Sequence, residues 1–399
     1  MPVTEPTLPP EALTPLEVIE RARICAAAIR ERAVEAEKAR RQPVETIQEL
    51  TGSGLTRLLT PRRWGGYELD FATVVEAVYE ISKADASAGW CYSFLLLHNW
   101  LLAYYPEQAQ HDVWASSPDV HMADSIIPAG QVTRVEGGYR ISGNWPFVSG
   151  IDHSTWAMLA GMMPEPATGP FDFGPHLFLL PHSDFAIEDT WFVAGLEASG
   201  SQNVVVKDAF VPAHRVVSML ALLEGIAPGA QLHTNLMYHQ PVLLHFPFGL
   251  TAPIVGAVMG AYELWCEMTR TKSTRLSHIP LTAFSHQQIR IAETSAEITT
   301  MQLLLQQNLE RARSENPTLE QRVQSKRNFS YVAHLALQAI ERIYITSGGT
   351  ANYKSNPLQR FWRDIHAMAA HAALNWDTAG ETFGLYEIGQ RHNPRDSFV

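Results

Sequence analysis

The stretch SGGTANYKSNPLQRFWRDIHAMAAHAALNWD, Ser347–Asp377, decides how the rest of the chain is read. It opens with a glycine pair, Gly348-Gly349, which can bring backbone close to a bound group. The dense block Pro357-Leu358-Gln359-Arg360-Phe361-Trp362-Arg363-Asp364 follows. His371 then stands in Ala369-Ala370-His371-Ala372-Ala373, where small neighbours leave room for a flat ligand beside the ring. Helical periodicity runs on from Leu358 to Tyr386. His366 lies roughly 140° from His371 around a helix of about 3.6 residues per turn, so the two cannot share a face as metal ligands at i and i+4 would. With no HExxH and no clustered carboxylates, no metal site is expected.

Upstream of this stretch, long helical patterns cover His286–Glu315 and Thr318–Ser347. The apolar tract Pro241–Leu264 is interrupted by His245, Pro247, Pro253 and Glu263, so it reads as a buried core segment and not as a membrane span. Between about Val120 and Val217 the period changes. Tyr139–Ser142, Trp156–Gly161, His176–Leu180 and Asn203–Val206 are short apolar or alternating runs set off by Gly, Pro and Asp, as strands are. Before them, Leu13, Val18, Ile19, Ala22, Cys25, Ala26 and Ile29 recur at helical spacing. A second helix is expected over Pro43–Ser53, and a third helical pattern from Asp70 to about Tyr105. The fold class is therefore α+β and mostly α: an N-terminal helical domain over 1–118, a central small β domain over 119–220 and a C-terminal helical domain over 221–399.

The bulk numbers narrow the function classes. A chain of 399 residues that is 46% hydrophobic and 18% charged has the composition of a globular enzyme with a large core. A net charge of −11 argues against nucleic acid as a partner, because neutralising phosphate needs a concentrated basic surface. Cys25, Cys91 and Cys266 are far apart with no CxxC spacing, which implies neither disulfides nor zinc and makes a reducing compartment the default. Residues 1–13 lack the basic and apolar regions of a signal peptide. A cytoplasmic protein without membrane attachment is the expectation.

Two further stretches carry chemistry. In Trp145-Pro146-Phe147-Val148-Ser149-Gly150 the serine by itself reads as an ST-turn before glycine. His98, amid Phe94-Leu95-Leu96-Leu97 and Trp100-Leu101-Leu102, by itself reads as a satisfied core histidine. Around it Trp90, Tyr92, Trp100, Tyr104 and Tyr105 suit a flat aromatic ligand, and ordinary packing explains them equally well.

In order and spacing, these stretches resemble the acyl-CoA dehydrogenase fold, whose central domain is a small β-barrel or sandwich and whose C-terminal domain is a four-helix bundle. In many acyl-CoA dehydrogenases an Arg-Asp pair precedes a Tyr-Glu-Gly-Thr loop that carries the catalytic glutamate. Here Arg363-Asp364 is followed at that spacing by His371-Ala372-Ala373-Leu374, and an alanine cannot remove an α-proton. The closer resemblance is to the flavin-dependent monooxygenases of this fold, the oxygenase components of two-component phenol hydroxylases of the 4-hydroxyphenylacetate and steroid-phenol type. Ser87-Ala88-Gly89-Trp90 with His98, Val148-Ser149-Gly150, and Phe361-Trp362-Arg363-Asp364 with His371 carry it.

The resemblance implies reduced FMN or FAD as cofactor, supplied by a separate flavin reductase that alone uses NAD(P)H. Reduced flavin and O2 would give a C4a-hydroperoxyflavin that hydroxylates a small aromatic substrate, phenolic, polyketide-type or indole-like. Ser149 would meet flavin N5, where a hydroxyl can donate or accept. His371 would tune protonation beside the flavin. Trp145, Phe147 and Val148 would wrap the ring, and Arg270, Gln287, Gly348 and Gly349 would hold the rest of the cofactor. His98 would face the substrate, joined by Trp100, Asp124 and Ser125. A homotetramer is implied as well, with the tail Arg391–Val399 as a subunit-contact arm. The alternatives are an acyl-CoA dehydrogenase-like flavin dehydrogenase or oxidase with a relocated base, and a scaffold without catalysis.

Overall fold

A computed structural model describes residues 12–390 apart from 168 and 170, so the expected contact arm Arg391–Val399 lies outside the described residues. Five helices come first: α1 (Pro15–Ala39), α2 (Val44–Gly52), α3 (Phe71–Ala84), α4 (Ala86–Leu102) and α5 (Glu107–Trp114). Asp85 divides the third pattern in two, because its backbone is extended and its carboxylate caps the next helix by accepting from Ala88 N–H.

The strands are β1 (Met122–Val135), β2 (Gly138–Val148), β3 (Trp156–Met162), β4 (Pro175–Pro181), β5 (Ala186–Glu188), β6 (Gln202–Pro212) and β7 (Val216–Ser218), in the order β5-β6-β2-β1-β3-β4-β7. β1 serves two halves. Met122–Ser125 run parallel to β3, Gln131–Val135 run antiparallel to β2, and a register shift between Ser125 and Gly130 makes the corner. The halves enclose a small core of Ile141, Trp145, Val148, Leu159, Phe178 and Val204, which gives the expected sandwich.

The rest is helical: α6 (Met219–Leu223), α7 (Phe248–Thr271), α8 (Ser285–Arg311), α9 (Leu319–Thr346), α10 (Pro357–Ala369) and α11 (Trp376–Glu387). Val242–Thr271 is the one segment among the described residues long and apolar enough to cross a membrane, yet 83% of its apolar window is buried inside the protein. α7 packs on α3 through glycine: a Cβ at Gly260 would stand 2.5 Å from Lys83 O, and one at Gly256 2.8 Å from Tyr79 O. This contact joins the N-terminal helices to the bundle in one continuous core.

The helix expected over Leu358–Tyr386 is broken, which corrects the sequence reading. α10 stops at Ala369, His371 takes an extended backbone, a short 3₁₀ turn covers Ala372–Leu374, and α11 starts after Asn375. Alanine favours helix whichever way the chain goes, so the run hides the interruption. Two caps decide it: His371 Nδ1 accepts from Ala373 N–H, and Asn375 Oδ1 accepts from Thr378 N–H.

Candidate active site

β2 ends in an unusual turn. Phe147 has φ +62°, a left-handed conformation that costs an aromatic residue about 1–2 kcal/mol. The turn swings its ring outward, 63% exposed and edge-on to Trp191 at 6.0 Å between centroids. Val148 returns to the β core, and Ser149 is left half-buried before Gly150 at φ +73°.

Trp90, on α4, connects the predicted catalytic residues. Its indole N–H donates to Ser149 Oγ at 3.1 Å, and its ring lies 6.1 Å from the His371 ring. It also packs edge-on against Phe94 at 5.0 Å, and Phe94 in turn lies 5.5 Å from His98. Ser149, His371 and His98, far apart in sequence, are thus gathered around two aromatic side chains of one helix.

His98 is fully buried, and its Nδ1–H donates to Met122 O at 2.7 Å. Nε2 faces Asp124 Oδ1 at 3.2 Å. The contact is one of proximity, and Nε2 makes no hydrogen bond among the described residues. Asp124 Oδ2 is buried and has no hydrogen-bond partner among the described residues, which leaves an acceptor for a ligand that brings its own donor. His371 is held differently. Since its Nδ1 accepts from Ala373 N–H at 3.2 Å, the ring proton of the neutral form sits on Nε2. Burial pushes its pKa down, with Asp124 pulling weakly the other way, so the neutral donor form is favoured.

His371 borders a cavity of about 190 Å³ walled by Leu244, Phe246, Leu250 and Phe329, with Ala372 and Ala373 at its edge. No carboxylate lines it among the described residues. Ser149 and His371 meet at Trp90, and the outward Phe147 and the exposed Ala372 and Ala373 adjoin them in sequence, a set of groups that would suit a flat heteroaromatic cofactor.

The other expected contact residues have these surroundings in the fold. The Trp145 ring is fully buried in the β core with its N–H on Ala160 O at 2.7 Å, and Val148 is fully buried in the same core. Trp100 is fully buried with its N–H on Met237 O. Ser125 donates to Pro146 O at 3.1 Å and ties β1 to β2. Arg270 is largely exposed and paired with Glu267 at 3.2 Å. Gln287 is buried with Oε1 unpartnered, an acceptor without a donor. Gly348 (φ +71°) and Gly349 are exposed beside the end of α7, where Lys272 donates to Thr350 at 3.3 Å. No hydrogen bond or ring contact among the described residues ties Arg270, Gln287 or the glycine pair to Ser149, Trp90 or His371.

The Arg363-Asp364 pair proves architectural. Arg363 donates to Ala194 O and Glu197 on the β domain, and also to Glu37 on α1. Asp364 is buried and accepts from Leu196 N–H at 2.7 Å and Ser87 Oγ at 3.3 Å. Gly195 sits so close that a Cβ there would stand 2.2 Å from Arg363 O. α10 is thereby clamped to all three parts of the molecule, which fixes the His371 turn that follows it.

Comparison with known proteins agrees with this arrangement. Residues 19–116 match the model of the acyl-CoA dehydrogenase N-terminal domain, and residues 248–376 that of the acyl-CoA dehydrogenase C-terminal domain. The chain is 38% identical over 368 residues to the flavin-dependent monooxygenase oxygenase subunit HsaA of Rhodococcus jostii (strain RHA1), covering 90% of this chain and 95% of that one. It is 36% identical to the FADH(2)-dependent resorcinol hydroxylase oxygenase component of Rhizobium sp. (strain MTP-10005), covering 90% and 91%. The crystal structure of 3-HSA hydroxylase from Rhodococcus sp. RHA1 superposes with a TM-score of 0.89 at 36% identity, covering 96% of this chain and 99% of that one.

Proposed function

Because the chain belongs to the flavin-dependent monooxygenase family built on the acyl-CoA dehydrogenase fold, we propose that it is the oxygenase component of a two-component aromatic hydroxylase. It takes reduced FMN or FAD from a separate reductase and hydroxylates a small aromatic substrate. When bound, the reduced flavin supplies the two electrons that activate O2, one oxygen atom going to the ring and the other to water.

The observation that carries this reading is the convergence of Ser149 and His371 on Trp90, with Ala372 where a dehydrogenase would need its carboxylate. Phe147 and Ser149 offer the surface for the flavin ring, and His371 holds a proton on Nε2 at its edge. Leu244, Phe246, Leu250 and Phe329 make one part of the cavity wall apolar, and Arg322, Lys326, Asn375 and Thr378 border the rest. On the substrate side, Asp124 Oδ2 accepts an O–H or N–H, with His98 Nε2 3.2 Å from the other carboxylate oxygen. Drawing the substrate's proton towards Asp124 makes the ring a better nucleophile. The unpartnered Gln287 and the exposed Arg270, Gly348 and Gly349 remain candidates for the cofactor's phosphate end. In that role they act alongside a neighbouring copy in a homotetramer.

The dehydrogenase alternative has no support at Ala372 or in the cavity lining. The deciding experiment mixes the protein with anaerobically reduced FMN or FADH2 and then with O2, following the return of oxidised-flavin absorbance. A long delay relative to free flavin, followed by hydroxylated product when a phenol is present, supports the proposal. Reoxidation at the rate of free flavin overturns it.

A further inference from the structure

A serine hydroxyl has one proton and two lone pairs. At Ser149 one lone pair is filled by Trp90 Nε1–H, a group that only donates, at 3.1 Å. Ser201 Oγ lies 2.8 Å away, and Ser199 Oγ a further 2.7 Å beyond it. Ser201 is 3% and Ser199 1% exposed, so neither has water to fall back on. The Ser199 backbone is itself fixed, its carbonyl accepting from Gly150 N–H at 3.2 Å and Cys91 Sγ at 3.3 Å.

Three hydroxyl protons serve two hydroxyl–hydroxyl bonds, so one proton is left over. Left on Ser199 or Ser201, it would be a buried donor without an acceptor among the described residues, the costly arrangement. Left on Ser149, which is half-buried, it faces the ligand surface. The favoured order is therefore Ser199 donating to Ser201, Ser201 to Ser149, and Trp90 to Ser149. With both lone pairs filled, Ser149 can only give a hydrogen bond, and bonds in series polarise one another and strengthen that gift.

We infer that Ser199, Ser201 and Trp90 are positioning residues that make Ser149 a one-way hydrogen-bond donor, directed at an unprotonated ring nitrogen of the flavin. The inference rests on the proposed placement of flavin against Ser149. It goes further in assigning the direction of the bond and in naming the residues that set it.

The test is binding without turnover: dissociation constants of FMN and FAD against their 5-deaza analogues, in which C–H replaces N5, for wild type, Ser149→Ala, Ser201→Ala and Ser201→Thr. Wild type is expected to prefer the true flavin by roughly fivefold, one hydrogen bond's worth. Ser201→Ala lowers that ratio, because the Ser149 hydroxyl is then no longer polarised and fixed in direction by its neighbour, and Ser201→Thr restores it, a rescue that loss of packing would not give. Ser199→Ala, one link further out, lowers the ratio less. If Ser149→Ala abolishes the preference while Ser201→Ala keeps it, the relay is wrong and the flavin placement stands. If wild type binds flavin with no preference, Ser149 does not donate to N5 and the inference falls. If neither oxidised flavin binds, the inference falls alone, because the proposed function requires only reduced flavin.

Discussion

His371 and Asp124 show how little a residue's type reveals before its partners are known. His371 reads from sequence as a ring among alanines. The Ala373 N–H on its Nδ1 then assigns the proton to Nε2 and makes it a donor. His371→Ala should still admit reduced flavin but lower product per flavin oxidised by roughly 10²-fold, the range of a lost acid–base group, with H2O2 in its place. A peroxide assay alongside product chromatography checks this, and full coupling in the variant would remove His371 from the chemistry. Asp124 pairs with His98 at 3.2 Å and keeps a buried oxygen open. Asp124→Asn should therefore slow hydroxylation of a phenol by at least about tenfold while flavin affinity stays unchanged, because only the substrate side loses its acceptor. Steady-state kinetics beside a flavin titration separate the two effects. Trp90 was legible as an aromatic near His98. Its hydrogen bond to Ser149, and the part played by Ser199 and Ser201, were not, since nothing in a short Ser-Gly-Ser run before a strand tells which way its hydroxyls point.

At the scale of elements, α10 and the break after it matter most. Its Arg363-Asp364 pair gave the first fold signal in the sequence, and the structure shows why: the pair bolts α10 to α1, α4 and the loop before β6. Burial, then the neighbouring Asp85, pushes the Asp364 carboxyl up to about 7 from an ordinary 3.8, while Arg363 and Arg360 pull it down. The folded protein thus holds a proton that the unfolded chain releases across that window. Asp364's contribution to stability is full below about 3.8 and is lost as pH rises through about 7. The melting temperature of wild type should fall between pH 5.5 and 8, and Asp364→Asn should flatten that slope. Equal slopes in the two proteins would show that the carboxyl does not carry the effect. The helices themselves were readable from periodicity, as were four of the strands. The break at His371 was not, because helix propensity is high on both sides of it and two side-chain caps, not composition, interrupt the run.

At the scale of the molecule, Leu276, Ile289, Ile345 and Tyr353 stand exposed on the bundle side. Where such residues are contiguous, a partner normally covers them. A homotetramer is the proposed covering, and sedimentation should give a species of four 44.4-kDa chains, whereas a stable monomer would contradict it. Resemblance to the acyl-CoA dehydrogenases put Ala372 where their carboxylate base stands; by itself the sequence determined the helix–strand–helix order and the buried apolar stretch at α7. These follow from local period, length and residue identity, which need no partner. Only the tertiary structure decided which side chains are buried and which stand open. It sent Trp100 and Trp145 into cores, brought Asp124 to His98, turned Phe147 outward, and lined up Ser199 and Ser201 behind Ser149. Orientation and proton placement depend on neighbours supplied by distant parts of the chain, and those neighbours exist only once the three parts have packed together.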